Sequence, residues 1–161
     1  MRARYEHAAS LADVSRQVEK LSARTMILDI EPLVAYWDGE RTELDQGITR
    51  VLGEVAAVPG LQVVCFSTNS SRRPSDLPHP PHVRVSSLSS AGKPLRTAPY
   101  QGVPRPGVVV GDQVATDGLL ALRLGYTFVL YGNPAGAVPL GPRLMGAGGQ
   151  LLRPLLFRRA R

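Results

Sequence analysis

Several polar clusters along this chain are of the residue types that handle phosphate. Asp29-Ile-Glu31 ends one short apolar run, Ser67-Thr68-Asn69 follows a second, and Gly111-Asp112 closes another, with Lys93 between the last two. Phosphoryl transfer calls for that mixture. One carboxylate attacks phosphorus, a second acid helps to hold a divalent cation, and hydroxyl and ammonium groups bind the phosphoryl oxygens. Any of these residues alone reads as well as a helix cap or a loop residue. Their shared position after apolar runs is what raises the chemical reading.

Those runs define the elements that must position them. Ser10, with Asp13 three residues on, predicts an N-cap and a helix running to Leu21. The run at 25–30 is rich in β-formers and predicts a buried strand. The spacing of Leu44, Ile48, Val51, Leu52 and Val55 predicts a helix over 42–58, stopped by Pro59-Gly60. Further strands are expected over 61–66, 83–86, 107–111 and 127–131, and a helix over 113–124 ended by Gly125. Residues 67–82 and 134–142 read as loops. Strand and helix alternate, and the strands are continuous apolar runs, so the expected fold is α/β: three Rossmann-like layers around a mostly parallel sheet of about five strands. In such sheets ligands bind beyond the carboxyl ends of the strands, where the polar clusters lie.

With the residues in that order, the chain resembles the haloacid-dehalogenase (HAD) superfamily. More narrowly, Asp29-Ile-Glu-Pro-Leu-Val-Ala-Tyr-Trp-Asp38, Ser67-Thr-Asn69, Gly92-Lys-Pro94 and Gly111-Asp-Gln-Val-Ala-Thr-Asp117 are similar to its capless branch, which includes phosphatidylglycerophosphate phosphatases. The resemblance spans residues 10–131 and implies a HAD fold without a cap domain. It also implies a Mg²⁺-dependent phosphomonoester hydrolase working through an aspartyl-phosphate, with a phosphatidylglycerophosphate-like lipid head group as one possible substrate. By the same resemblance Asp29 is the nucleophile and Glu31 the leaving-group acid. Ser67, Thr68, Asn69 and Lys93 surround the phosphate, Asn69 holding either the phosphate or its loop. Asp29, Asp112 and the Glu31 backbone carbonyl ligate Mg²⁺, with Asp117 supporting the metal from behind. Two residues depart from the family pattern: Glu31 stands in place of an Asp, and Leu33 in place of a Thr that braces the loop.

The chain has 161 residues, a 43% hydrophobic content and one cysteine, Cys65, which fits a single globular domain without disulfides or a cysteine-rich metal site. No run approaches the ~20 apolar residues of a membrane span, and residues 1–9 lack the apolar core of a secretory signal, so a cytoplasmic location is expected. The net charge of +6 is unevenly placed: residues 118–161 hold six arginines and no acid. A domain over 1–140 and a basic tail over 141–161 are therefore expected. Such a tail suits an anionic partner. Its mixture of leucine and arginine over 151–161 points to peripheral contact with an anionic membrane at its inner face rather than to nucleic acid, although Pro154 interrupts any continuous amphipathic helix.

Cys65 reads as a core residue, His79 and His82 as loop residues without a metal role, Arg72-Arg73 as a solvated loop in preference to a substrate-phosphate contact, and residues 146–149 as a flexible link. A catalytically impaired binding or regulatory protein that kept the fold is the alternative function, given Glu31 and Leu33. A phosphoacceptor receiver would carry its acidic pair and acceptor in a different order. A dinucleotide-binding domain would follow its first strand with a Gly-rich turn, not Glu31-Pro32-Leu33.

Overall fold

A computed structural model describes residues 3–132, 140, 147–149 and 153–159. The polypeptide forms β1 (Ala3–Ala8), α1 (Leu11–Lys20), β2 (Thr25–Asp29), α2 (Arg41–Val55), β3 (Val63–Ser67), β4 (Arg84–Leu88), β5 (Gly107–Gly111), α3 (Leu119–Leu124), β6 (Thr127–Tyr131) and β7 (Phe157–Arg159). A short 3₁₀ turn at Ala98–Tyr100 precedes β5, and a π-helical turn at Val114–Gly118 precedes α3.

Ser10 caps α1 as its sequence predicts, its side chain accepting from the Asp13 amide. Gly125 ends α3 in the left-handed region, φ 67°, which costs a glycine least. β2, β3 and β5 are buried along their whole length, as strands covered on both faces must be.

The seven strands lie in the order β4-β3-β2-β5-β6-β1-β7, and every neighbouring pair is parallel. Alternation along each strand splits the core in two. Met26, Leu28, Val64, Phe66, Val108 and Val110 pack with α1 and α2 on one face. Ile27, Cys65, Val109, Phe128 and Leu130 pack with Tyr100 and α3 on the other. The result is the three-layer arrangement expected.

Among the described residues the sheet has seven strands, against about five expected. β1 escaped because Arg4, Glu6 and His7 make it polar; Glu6 is nonetheless buried and reaches Lys20 Nζ at 3.1 Å. β7 lies within the segment expected to be a tail. It pairs with β1 through Ala3, Arg4 and Tyr5, and Phe157 is buried against Tyr5 and Phe128. The sheet thus continues into residues 157–159, after a helical turn at 153–156. Residues 147–149, expected within a flexible link, have helical backbone. The expected loop over 134–142 lies outside the described residues apart from 140. The predicted third strand falls at β4, and the helix expected over 113–124 is split into the π turn and α3.

From β2 the chain steps outward to β3 and β4, then returns to the other side of β2 as β5 and continues to β6. Chain direction across the sheet reverses between β2 and β5. Their carboxyl ends therefore diverge around a crevice, the usual ligand position in such sheets.

Candidate functional site

Asp29 is the last residue of β2, and Asp112 follows β5 directly. The π turn then brings Asp117 back over the end of β5, its amide bonded to the Gln113 carbonyl at 2.9 Å. Gly111 makes room for this: a Cβ there would overlap the Asp117 carboxylate. The carboxylates of Asp29, Asp112 and Asp117 offer oxygens that all lie within 4.8 Å of one another. Asp117, expected only to support a metal from behind, thus joins the acids that face one point.

Lys93 reaches into the cluster from the loop between β4 and β5. Its Nζ stands 2.8 Å from Asp29 Oδ1 and 2.7 Å from Asp117 Oδ1, and donates to the Ser67 carbonyl at 3.3 Å. Burial opposes the charge on Lys93, but the two carboxylates outweigh it and hold the ammonium above its usual range. Asp29 is pushed well above the usual carboxylate range by burial and by Asp117, with Lys93 pulling the other way. Asp112 is raised to about 7 by burial and then by Asp117.

Asn69 supports Lys93 without touching the acids. Its amide donates to the Lys93 carbonyl at 3.0 Å and accepts from the Lys93 backbone N–H at 2.8 Å, so one side chain clasps the loop on both sides. Its two strongest groups are spent on the loop rather than on a ligand.

Ser67 and Thr68 divide differently from expectation. Ser67 lies on the same face of β3 as Cys65, and its hydroxyl is 2.6 Å from the buried Tyr100 hydroxyl. Thr68, one residue on, lines a cavity of about 150 Å³ with Asp29, Glu31, Trp37, Asn69, Ser70, Lys93, Gln113 and Thr116. Thr68 therefore presents its hydroxyl where Ser67 was expected to, and Ser67 serves the site through its backbone carbonyl.

Glu31 borders the same cavity, but its carboxylate is already engaged. It accepts from Thr68 Oγ1 at 2.7 Å and Ser70 Oγ at 3.4 Å, and pairs with Arg72 Nη1 at 3.3 Å. Arg72 also donates to the carbonyls of Tyr36 at 2.5 Å and Gly39 at 2.7 Å, tying the loop after β2 to the loop after β3. Arg72 is thus no solvated loop residue. Asn69, Ser70, Tyr100 and Arg72 hold the others in place; of these the sequence reading gave only Asn69 a role, because nothing local in a Ser, Tyr or Arg announces a long-range partner. Leu33 is buried in the core, where a threonine hydroxyl would need a partner of its own.

The cluster is chemically suited to a cation. Among the described residues, Asp112 Oδ1 is buried without a hydrogen-bond partner, an arrangement that costs stability unless something positive completes it. Three acids share one ammonium. Asp112→Asn should therefore stabilise the protein in chelator. The folded Asp112 keeps its proton up to about pH 7, whereas the unfolded one releases it near pH 4. Stability is thus lost as pH rises between these values, and the deficit stays constant above. The variant should match the parent at pH 4 and exceed it by about 1–3 kcal/mol at pH 8 in urea unfolding. An equal gain at both pH values would contradict this.

No protein-family model matches the chain, and a search of curated proteins returned no match. Among the described residues no helix is long and apolar enough to cross a membrane.

Proposed function

We propose that the protein is a Mg²⁺-dependent phosphomonoester hydrolase of the HAD type, acting through an aspartyl-phosphate on Asp29. The observation that carries this reading is the convergence of Asp29, Asp112 and Asp117 with Lys93 beside a cavity lined by Thr68. The sequence resemblance to capless HAD phosphatases, carried by the same residues, agrees with it.

Asp29, Asp112 and Asp117 are the residues that would hold Mg²⁺, and the bound ion would neutralise charge on the phosphoryl oxygens. Lys93 favours the ionised form of Asp29 against burial and Asp117, and the cation would add to that pull. The Asp29 carboxylate attacks phosphorus, the bond from phosphorus to the ester oxygen breaks, and the leaving oxygen takes a proton from solvent water to depart as the alcohol, the hydroxide so formed being neutralised by the proton that the hydrolytic water releases in the second step. Water then attacks the aspartyl-phosphate, releasing inorganic phosphate and restoring the Asp29 carboxylate. Thr68 Oγ1, on turning from Glu31, and Lys93 Nζ, on giving up one of its three present acceptors, would donate to the phosphoryl group. The test is a panel of phosphomonoesters assayed with Mg²⁺ and with chelator. Hydrolysis that requires the ion supports the proposal; no hydrolysis of any ester, or hydrolysis indifferent to chelator, overturns it.

A second reading, a binding or regulatory protein without turnover, is favoured by one observation: the Glu31 carboxylate is held by Arg72, Thr68 and Ser70 rather than left free to protonate a leaving group. Glu31→Asp shortens the side chain by one methylene and should release it from Arg72. Should Glu31 be a displaced acid, this change, best made with Leu33→Thr, should raise turnover about tenfold on alkyl phosphates and less on activated aryl phosphates, which need little protonation. Slower alkyl phosphate hydrolysis would instead mark Glu31 as an adapted acid.

Peripheral attachment to an anionic membrane, with a lipid phosphomonoester as substrate, extends the same proposal. Because Phe157 is packed into the sheet, truncation would disturb the fold. Exchange of Arg158, Arg159 and Arg161 for Ser is the cleaner probe. It should weaken pelleting with vesicles rich in anionic lipid several-fold, at about 1 kcal/mol per basic residue near the surface; unchanged pelleting would refute the contact.

A further inference from the structure

Gln113 follows Asp112 directly, and its backbone belongs to the turn that builds the acid cluster. Its carbonyl accepts from the Asp117 amide at 2.9 Å and from the Gly118 amide at 3.2 Å. The residue is 7% exposed and lines the reaction cavity of about 150 Å³ with Asp29 and Lys93. A side chain enclosed to this degree, on a backbone so held, has a narrow reach.

The other polar side chains around that cavity are committed to one another. Thr68 donates to Glu31, Asn69 clasps the Lys93 backbone, Lys93 lies on Asp29 and Asp117, and Thr116 donates to Asp117. Among the described residues no side-chain hydrogen bond includes the Gln113 amide. Its polar atoms are not sealed off as Asp112 Oδ1 is, so they open onto the cavity. Trp37, the one tryptophan of the chain, lines it too, but an indole can only donate, whereas an amide also accepts.

Hydrolysis of an aspartyl-phosphate needs an acceptor that aligns water with phosphorus. Glu31 is engaged by Arg72, Thr68 and Ser70, and the Lys93 ammonium has nothing to accept with. A positioned glutamine amide meets the requirement, and phosphoryl-transfer sites use one in that role.

We propose that Gln113 orients the water that hydrolyses the aspartyl-phosphate, its Oε1 accepting a hydrogen bond from that water. The inference rests on the reaction reading above and assigns its second step. A water takes about 30 Å³ of liquid, so the cavity has room for one beside the phosphoryl group. The water oxygen forms its bond to phosphorus. The bond from phosphorus to Asp29 breaks, and its electron pair returns to the carboxylate. An amide is no base, so the proton goes to solvent as phosphate departs.

The experiment labels the full-length protein, with Mg²⁺, from an aryl phosphate carrying radioactive phosphorus, then chases with unlabelled ester and quenches in acid. Gln113→Met keeps the shape of the side chain and removes its hydrogen bonds; Gln113→Ala is the second variant. Label should leave either variant about 10–100-fold more slowly than the parent, while labelling itself stays within about threefold. Phosphoenzyme should therefore accumulate, kcat should become the same for all leaving groups, and kcat/KM for the aryl ester should hardly change. An alkylphosphonate titration followed by Trp37 fluorescence should be unaltered. Label loss at the parental rate overturns the role of Gln113 and leaves the reaction site standing. Labelling and label loss slowed equally in both variants also overturn it, since the side chain then serves the fold or the first step. Absence of labelled Asp29 in a parent that hydrolyses the ester overturns the aspartyl-phosphate reading, and this proposal with it.

Discussion

Asp29→Asn should lower kcat for every hydrolysed phosphomonoester by at least about 10³-fold, with the fold intact. The amide preserves the shape of the side chain at the end of β2 and can still bond to its neighbours. It lacks only the nucleophilic charge, so the loss should fall on kcat rather than on ligand binding followed through Trp37. Burial and Asp117 disfavour charge on Asp29, so its reactivity depends on Lys93 at 2.8 Å and on the added cation. A second measurement separates nucleophile from bystander. Borohydride added during turnover should reduce the acyl-phosphate at position 29 to homoserine, detectable as a mass change in the peptide that contains it. Hydrolysis within tenfold of the parent in Asp29→Asn would transfer the nucleophile's role to water or another residue. A 10³-fold loss without trapped homoserine would leave Asp29 as a metal ligand only.

The α/β alternation was legible because β2, β3, β5 and β6 are apolar runs bounded by turn residues; two of them, Gly107–Gly111 and Thr127–Tyr131, fall at the predicted limits. β1 and β7 were not, for a physical reason. Strand pairing is made by backbone hydrogen bonds that carry no side-chain signature, β1 sits between β6 and β7, and Arg4, Glu6 and His7 do not read as buried. Only the pairing partner, far along the chain, makes them a strand. The acids at strand ends were legible from position alone, since β2 and β5 had to be neighbours for Asp29 and Asp112 to meet, and they are. The choice between Ser67 and Thr68 was not. A strand places consecutive side chains on opposite faces, so a one-residue uncertainty in where β3 ends decides which hydroxyl meets Tyr100 and which meets the cavity. Arg72 was misread because its partners, Glu31, Tyr36 and Gly39, lie on another loop. Long-range ion pairs of this kind leave no trace in local composition.

Lys93→Met should cost about 3–5 kcal/mol of folding stability at pH 8, the range for breaking a buried ion pair by removing one partner. Methionine fills much the same volume, so packing contributes little. The loss is electrostatic: Asp29 and Asp117 are left facing each other, buried, without the ammonium that lies 2.7–2.8 Å from both. The pH dependence identifies the cause. Burial and Asp117 already raise Asp29 above the usual carboxylate range, and without the lysine it keeps its proton to still higher pH in the folded chain, whereas unfolded it titrates near pH 4. Stability then falls as pH rises above that value, so the variant's deficit should be small at pH 4.5 and full at pH 8. A deficit equal at both would point to packing. Asp117→Asn added to Lys93→Met should recover at least about 2 kcal/mol at pH 8, because one buried charge is removed from a repelling pair, whereas Asp117→Asn alone should destabilise. Millimolar Mg²⁺ should restore part of the loss in Lys93→Met by supplying positive charge to the same carboxylates, and less of it in the double variant. That difference distinguishes a cation held by the cluster from a general effect of salt, since sodium chloride at matched ionic strength should act on both variants alike.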